Sequence, residues 1–126
     1  MADKKTKILL IEDEEMLANM YEIKFKNEGF DLEIALDGAT GLEKAKANVP
    51  DFILLDIIMP KMDGFSVLKA LKEDESTKHV PVMLLTNLGQ EEDIQKGKEL
   101  GSVGYLVKAN ITPAEVVEAV KKKLGK

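Results

Sequence analysis

Glu12 and Asp13 follow the apolar run KILLI at 7–11, and Asp56 follows DFILL at 51–55. Thr86 and Asn87 follow PVMLL at 81–85, and Lys108 closes GYLVK at 104–108. Three carboxylates, a hydroxyl and an ammonium thus stand at the ends of apolar runs. If those ends lie together the acids repel one another: two charges ~5 Å apart at an effective dielectric of ~20 cost about 3 kcal/mol. One lysine cannot neutralise three acids, whereas a divalent cation can. Oxygen donors with no thiolate and no nearby imidazole select a hard ion, Mg2+ or Mn2+ in its place. Mg2+ keeps several waters and is commonly completed by a phosphate, so the set points to phosphoryl chemistry. A carboxylate can itself be the nucleophile, forming an aspartyl phosphate. Asp56 is the central candidate for that role. Asp13, with Glu12, would hold the metal, and the backbone carbonyl of Ile58 is the candidate to complete its shell. Lys108 would pair with phosphoryl oxygens, and Thr86 would donate to one of them. Taken singly, each residue has a plainer explanation. An aspartate after a strand is usually a turn former or a helix cap, and a lone threonine or lysine in a loop is usually solvated. Only the joint placement argues for chemistry.

That placement depends on the elements. The runs at 7–11, 31–35 (DLEIA), 51–55, 81–85 and 104–108 read as strands, and three are apolar nearly throughout, as in a parallel sheet buried on both faces. The gaps fit helices near 14–27, 38–47, 64–73, 90–100 and 112–124. Glycine in EGF at 28–30 and ELG at 99–101 marks helix ends. The last helix carries Thr112 as N-cap, Pro113 at its first position and Glu115 to complete a capping box, with Val116, Val120 and Leu124 on the inner face. Its Lys121–Lys123 run suits the negative end of the helix dipole. Five strand–helix pairs predict an α/β fold, a (βα)5 doubly wound parallel five-stranded sheet. The order 2-1-3-4-5 then brings the ends of strands 1, 3, 4 and 5 to one edge, with a crevice where strands 1 and 3 part and Asp56 exposed in it.

The bulk properties set limits. At 126 residues the chain suits one domain, 1–126 with a core at about 7–124. Hydrophobic residues make up 44% and charged residues 33%, a globular composition. No run reaches the ~18 apolar residues of a membrane span, and the N-terminus lacks an apolar signal region, so a cytoplasmic location without membrane insertion is expected. There is no cysteine, which excludes disulfides, thiolate metal sites and a cysteine nucleophile, and the one histidine, His79, falls in a polar loop. The net charge of −5 argues against direct nucleic-acid binding.

With these residues placed, ILLIEDEE, LLDIIMPKMDG, LLTN and GYLVKA together resemble the receiver domain of bacterial two-component response regulators, a group that includes the single-domain chemotaxis regulator. The resemblance runs from about Lys7 to Leu124. It implies the same flavodoxin-like 2-1-3-4-5 sandwich. It implies Asp56 as phosphoacceptor, Asp13 as principal metal-binding carboxylate, Thr86 as switch hydroxyl and Lys108 as phosphate-pairing lysine. Tyr105 falls on the family's switch aromatic, which turns inward when Thr86 is drawn to the phosphoryl group. The implied donor is a histidine kinase or histidine phosphotransfer protein, with small phosphodonors as substitutes. The implied output is a changed face on the fourth helix, fifth strand and fifth helix that meets a downstream protein target. Three residues depart from the family. Glu12 stands where aspartate is frequent, Asn87 where a small residue is, and Ala109 where proline is. The family's lysine–proline bond is typically cis, and for a non-proline that form costs ~3 kcal/mol. Because Lys108 must still reach Asp56, a cis Lys108–Ala109 bond is the expectation.

Two helices raise further questions. EEDIQKGKELG has only Ile94 and Leu100 as large apolar anchors. Gly97 costs ~1 kcal/mol there against alanine, either loosening the helix for a shift or permitting close packing. MLANMYEIKFKN has apolar residues at 16, 17, 20, 21, 23 and 25, more than one buried stripe needs. Part of the 16–20 patch is therefore a candidate contact for the histidine-bearing donor, unless Met16 and Leu17 are buried. The expected protein is a signalling switch rather than an enzyme, a monomer with a phosphorylation-linked dimer as the alternative, and without an output domain. A receiver-like interaction module that is never phosphorylated is the first rival. A hydrolase with a transient aspartyl phosphate is the second, and the short loops leave it no cap.

Overall fold

The computed structural model describes residues 5–87 and 90–125. Five strands alternate with five helices: β1 (Lys7–Ile11), α1 (Glu15–Asn27), β2 (Asp31–Ala35), α2 (Gly38–Ala47), β3 (Phe52–Asp56), α3 (Gly64–Glu73), β4 (Val82–Thr86), α4 (Glu91–Glu99), β5 (Gly104–Val107) and α5 (Pro113–Leu124). All strand pairs are parallel and the order is β2-β1-β3-β4-β5, the predicted topology. The register sets Ile11 beside Leu55, Asp56 beside Leu85 and Thr86 beside Val107.

Strand alternation divides the core in two. On one face Ile8, Leu10, Phe52, Leu54 and Leu85 pack against Tyr21 and Phe25 of α1 and Val116, Val117 and Val120 of α5. On the other, Leu9, Ile11, Ile53, Leu55 and Leu84 meet Ala45 of α2 and Val67, Leu68 and Leu71 of α3. Each fully buried Leu or Ile contributes roughly 2 kcal/mol. The two layers therefore hold the strand ends firmly enough to carry charged groups.

The helix boundaries follow local chemistry. Thr112 Oγ1 accepts from the Glu115 N–H at 3.2 Å while Glu115 Oε1 accepts from the Thr112 N–H at 2.9 Å, the expected capping box. Asp37 and Asp63 cap α2 and α3 by accepting the N–H of Thr40 and of Ser66. Gly29 and Gly101 end α1 and α4 with φ of 90° and 101°, in the region glycine enters without strain.

Three expectations need correction. β3 and β4 each run one residue further than the apolar runs, because Asp56 and Thr86 still pair with their neighbours. β5 stops at Val107, since Lys108–Asn110 forms a single 3-10 turn. No peptide bond among the described residues is cis, so Lys108–Ala109 is trans. With no proline at 109, the trans form is favoured by ~3 kcal/mol, and the 3-10 turn redirects the chain instead.

Candidate functional site

The alternation that buries Leu10 and Leu54 on the α1/α5 face carries Glu12 and Asp56 to the same face two residues later. Glu12 is anchored through its N–H, which donates to the Ala35 carbonyl at 3.0 Å. Asp13 follows, half-buried, at the turn into α1. One oxygen from each of Glu12, Asp13 and Asp56 lies within 4.8 Å of the others. Acids this close, two of them buried, suit a divalent cation with hard oxygen ligands.

Asp56 is not exposed, as expected from its place at a strand end, but 3% accessible. The Ile57 N–H donates to the Leu85 carbonyl at 3.0 Å, which extends the β3–β4 ladder past the carboxylate. The chain then turns through Lys61 at φ 70° into α3. Gly64 closes the turn, its N–H donating to the Ile57 carbonyl at 2.7 Å. A Cβ there would run into the Asp56 carbonyl oxygen and sit 2.6 Å from Ile57 Cα, so only glycine fits. Ile58 rides on this turn. Its N–H donates to Asp56 Oδ1 at 3.2 Å, and its side chain is exposed.

Lys108 reaches the site from the 3-10 turn. Its Nζ is 3.0 Å from Asp56 Oδ2, 2.6 Å from Glu12 Oε1 and 3.9 Å from Glu14 Oε1. The Glu12 and Asp56 contacts are ion pairs by distance, with angles short of directional hydrogen bonds at Lys108 Nζ and Glu12 Oε1. Glu12 Oε2 also accepts the Glu14 N–H at 3.1 Å. Burial, then the Glu12 charge, push Asp56 up from 3.8 to about 7 against the pull of Lys108. Burial alone would lower Lys108, but its contacts with Glu12 and Asp56 outweigh that and raise it.

Thr86 ends β4, buried, one residue beyond Leu85, the register partner of Asp56, and Asn87 is exposed after it. Tyr105 is 43% exposed on β5, so it stands outward. Residues 88 and 89 of the loop after Thr86 lie outside the described residues. On α1, Met16 is 83% exposed, Met20 52% and Ile23 62%, whereas Ala18, Tyr21 and Phe25 are buried and Leu17 is partly so. The surplus of apolar residues on α1 therefore resolves into an inner and an outer stripe. Two residues near the site escaped sequence reasoning. Glu14, the third residue of the EDEE run, faces Lys108. Tyr21 is pushed up by burial, with the charges of Lys108, Glu12 and Asp56 all reaching it. An acidic run and a core tyrosine carry no local signal of such proximity.

Parallel topology, acid triad and lysine define a doubly wound switch-point site, and comparison with known proteins places it further. The response regulator receiver domain matches residues 8–121, and the chain belongs to that family. It is 41% identical over 102 residues to the response regulator PleD of Caulobacter vibrioides, covering 81% of this chain and 22% of PleD. It is 36% identical over 115 residues to the alkaline phosphatase synthesis transcriptional regulatory protein PhoP of Bacillus subtilis, covering 91% of this chain and 47% of PhoP. The chain thus spans between about a fifth and a half of these curated relatives. Among solved structures, the chemotaxis protein CheY4 of Vibrio cholerae superposes with a TM-score of 0.89 at 30% identity, covering 94% of this chain and 98% of that one. The receiver domain of Francisella response regulator 1452 gives 0.87 at 31%, covering 97% and 100%. No helix among the described residues is long and apolar enough to cross a membrane.

Proposed function

We propose that this receiver domain accepts a phosphoryl group on Asp56 from a phosphohistidine of a histidine kinase or histidine phosphotransfer protein. The observation that carries the reading is Asp56 itself, a buried strand-end carboxylate 3.0 Å from Lys108 and grouped with Glu12 and Asp13. Asp13 and Asp56 would ligate Mg2+, with Glu12 beside them and the Ile58 carbonyl as a further donor. Bound there, Mg2+ would offset the carboxylate charge and supply a counter-charge for phosphoryl oxygens.

In the transfer, an Asp56 oxygen forms the new P–O bond as the donor's P–N bond breaks. The electron pair leaves with the imidazole, which ends neutral after protonation. Lys108 pairs with the phosphoryl oxygens, and Thr86 donates to one. The added charge of nearly −2 is the signal. It draws Thr86 inward, lets Tyr105 follow, and changes the α4–β5–α5 face for a downstream protein target. The outer stripe of Met16, Met20 and Ile23 begins three residues after Asp13, and we assign it to the donor's docking helix.

Incubation with phosphoramidate or acetyl phosphate and Mg2+, followed by intact mass, tests the reading. One added phosphate is expected, absent in Asp56→Ala and with EDTA. No adduct with any donor would leave an interaction module in its place, and steady phosphate release would mark a hydrolase.

A further inference from the structure

The α4 helix, EEDIQKGKE, is charged over most of its surface, and its one buried residue is Gly97. A glycine inside a helix is unfavourable by ~1 kcal/mol against alanine, so its presence at the contact with the sheet calls for a reason. The reason is proximity. A Cβ at 97 would overlap Leu84 Cδ1 and approach Ser102 Oγ to 3.3 Å. The helix lies too close to the Leu84 side chain for a Cβ at 97 unless that leucine or the helix moves.

The residue it rests on is central to the switch. Leu84 is buried, two positions before Thr86 on the same side of β4. It lies opposite Leu55, the residue before Asp56, on one side and opposite Tyr105 on the other. One leucine therefore touches the helix and neighbours the acceptor strand, the hydroxyl and the outer aromatic. Further along the helix, Lys96 Nζ lies 4.6 Å above the Phe65 ring, next to Gly64 beneath Asp56. Both ties of α4 lead back to the acceptor, and neither uses a buried apolar side chain of the helix.

We infer that Gly97 seated on Leu84 is the joint that couples the position of α4 to the Asp56 site, making Gly97 a positioning residue for phosphorylation. This rests on the function proposed above. Coupling is reciprocal: a helix held off its seat must alter the site, as the site alters the helix.

Gly97→Ala should lift α4 from β4. Two readouts follow. In the unphosphorylated protein, amide NMR shifts should move at Ile57 and Thr86 as well as along α4. With phosphoramidate and Mg2+, the adduct should form at a rate changed at least threefold. Leu84→Ala in the Gly97→Ala background frees the space the new methyl needs and should bring both readouts most of the way back. Shifts confined to 91–103 with an unchanged rate would overturn the joint and leave Gly97 a packing residue. If Gly97→Ala does not fold, Leu84→Ala alone empties the seat without adding bulk. It should then change the rate and raise amide exchange in α4, and an unchanged rate would overturn the idea. A wild-type protein that forms no adduct defeats the phosphoacceptor reading instead, and the joint then stands or falls on the amide shifts alone.

Discussion

At the scale of single residues, the site is a charge imbalance held in a dry place. Lys108 faces Glu12 and Asp56 at ion-pair distance and Glu14 at 3.9 Å, so one cation serves several acids. Asp56 answers by holding its proton to about 7, against an ordinary 3.8. A folded-state value above the unfolded one means the native form binds the proton more tightly. This contribution to stability is complete below pH ~4 and is lost as pH rises to ~7, where the buried carboxylate must ionise. Urea unfolding in EDTA should therefore show stability falling between those limits. Asp56→Asn should flatten this segment and be more stable than wild type at pH 8 by up to about 4 kcal/mol, with little difference at pH 4. Metal bound at the proposed site would act in the opposite direction. Saturating Mg2+ should raise the urea midpoint, by about 2.7 kcal/mol in free energy at a hundredfold excess over Kd. EDTA should reverse this, and Asp13→Asn should lose most of it. Equal stabilisation of Asp13→Asn would remove Asp13 from the ligand set.

At the scale of elements, the strands were legible because burial on both faces writes itself as continuous apolar runs. KILLI is β1 to the residue, and DLEIA, which alternates because β2 is an edge strand, is β2 to the residue. The ends of β3 and β4 were not, because Asp56 and Thr86 keep the backbone pairing of strand residues while carrying polar side chains. The capping box of α5 could be read because its bonds are local, between residues three apart. The site's acids and lysine could be listed from the sequence, but their partners could not. Whether Glu12 meets Lys108, or Gly97 meets Leu84, depends on residues far apart in the chain. Two substitutions separate these kinds of information. Thr112→Ala removes a local cap and should cost ~1 kcal/mol in thermal or urea unfolding, with phosphorylation unchanged. Gly64→Ala forces a methyl against the Asp56 carbonyl and should cost at least about 2 kcal/mol while also slowing adduct formation. Normal kinetics in a folded Gly64→Ala protein would show that the turn does not orient the acceptor.

At the scale of the whole molecule, one end of the sheet gathers Glu12, Asp13, Asp56 and Lys108, and α1 presents an apolar outer stripe next to it. Replacing Met16 and Met20 by lysine should leave phosphorylation by phosphoramidate within twofold of wild type. Transfer from a histidine kinase or phosphotransfer protein should fall at least tenfold in a radiolabel assay, and equal loss with both donors would place the stripe in the chemistry instead. The strand order carries a consequence of another kind, in the time course of folding. β1 lies between β2 and β3, so its second neighbour is more than a helix and a strand away in sequence, as the Lys7 N–H to Asp51 bond across 44 residues shows. β3 pairs with β4 and β4 with β5, each with the next strand in the chain, and these pairings close shorter loops. The C-terminal strands can thus assemble early, while Asp13 and Asp56 meet only when β1 inserts beside β3. Metal capture at the proposed site would then mark the docking of β1 beside β3 in refolding. A stopped-flow trace of Mg2+ uptake should lag the gain of helical signal, and the domain should acquire its ligand-binding ability only as the two halves of its chain join.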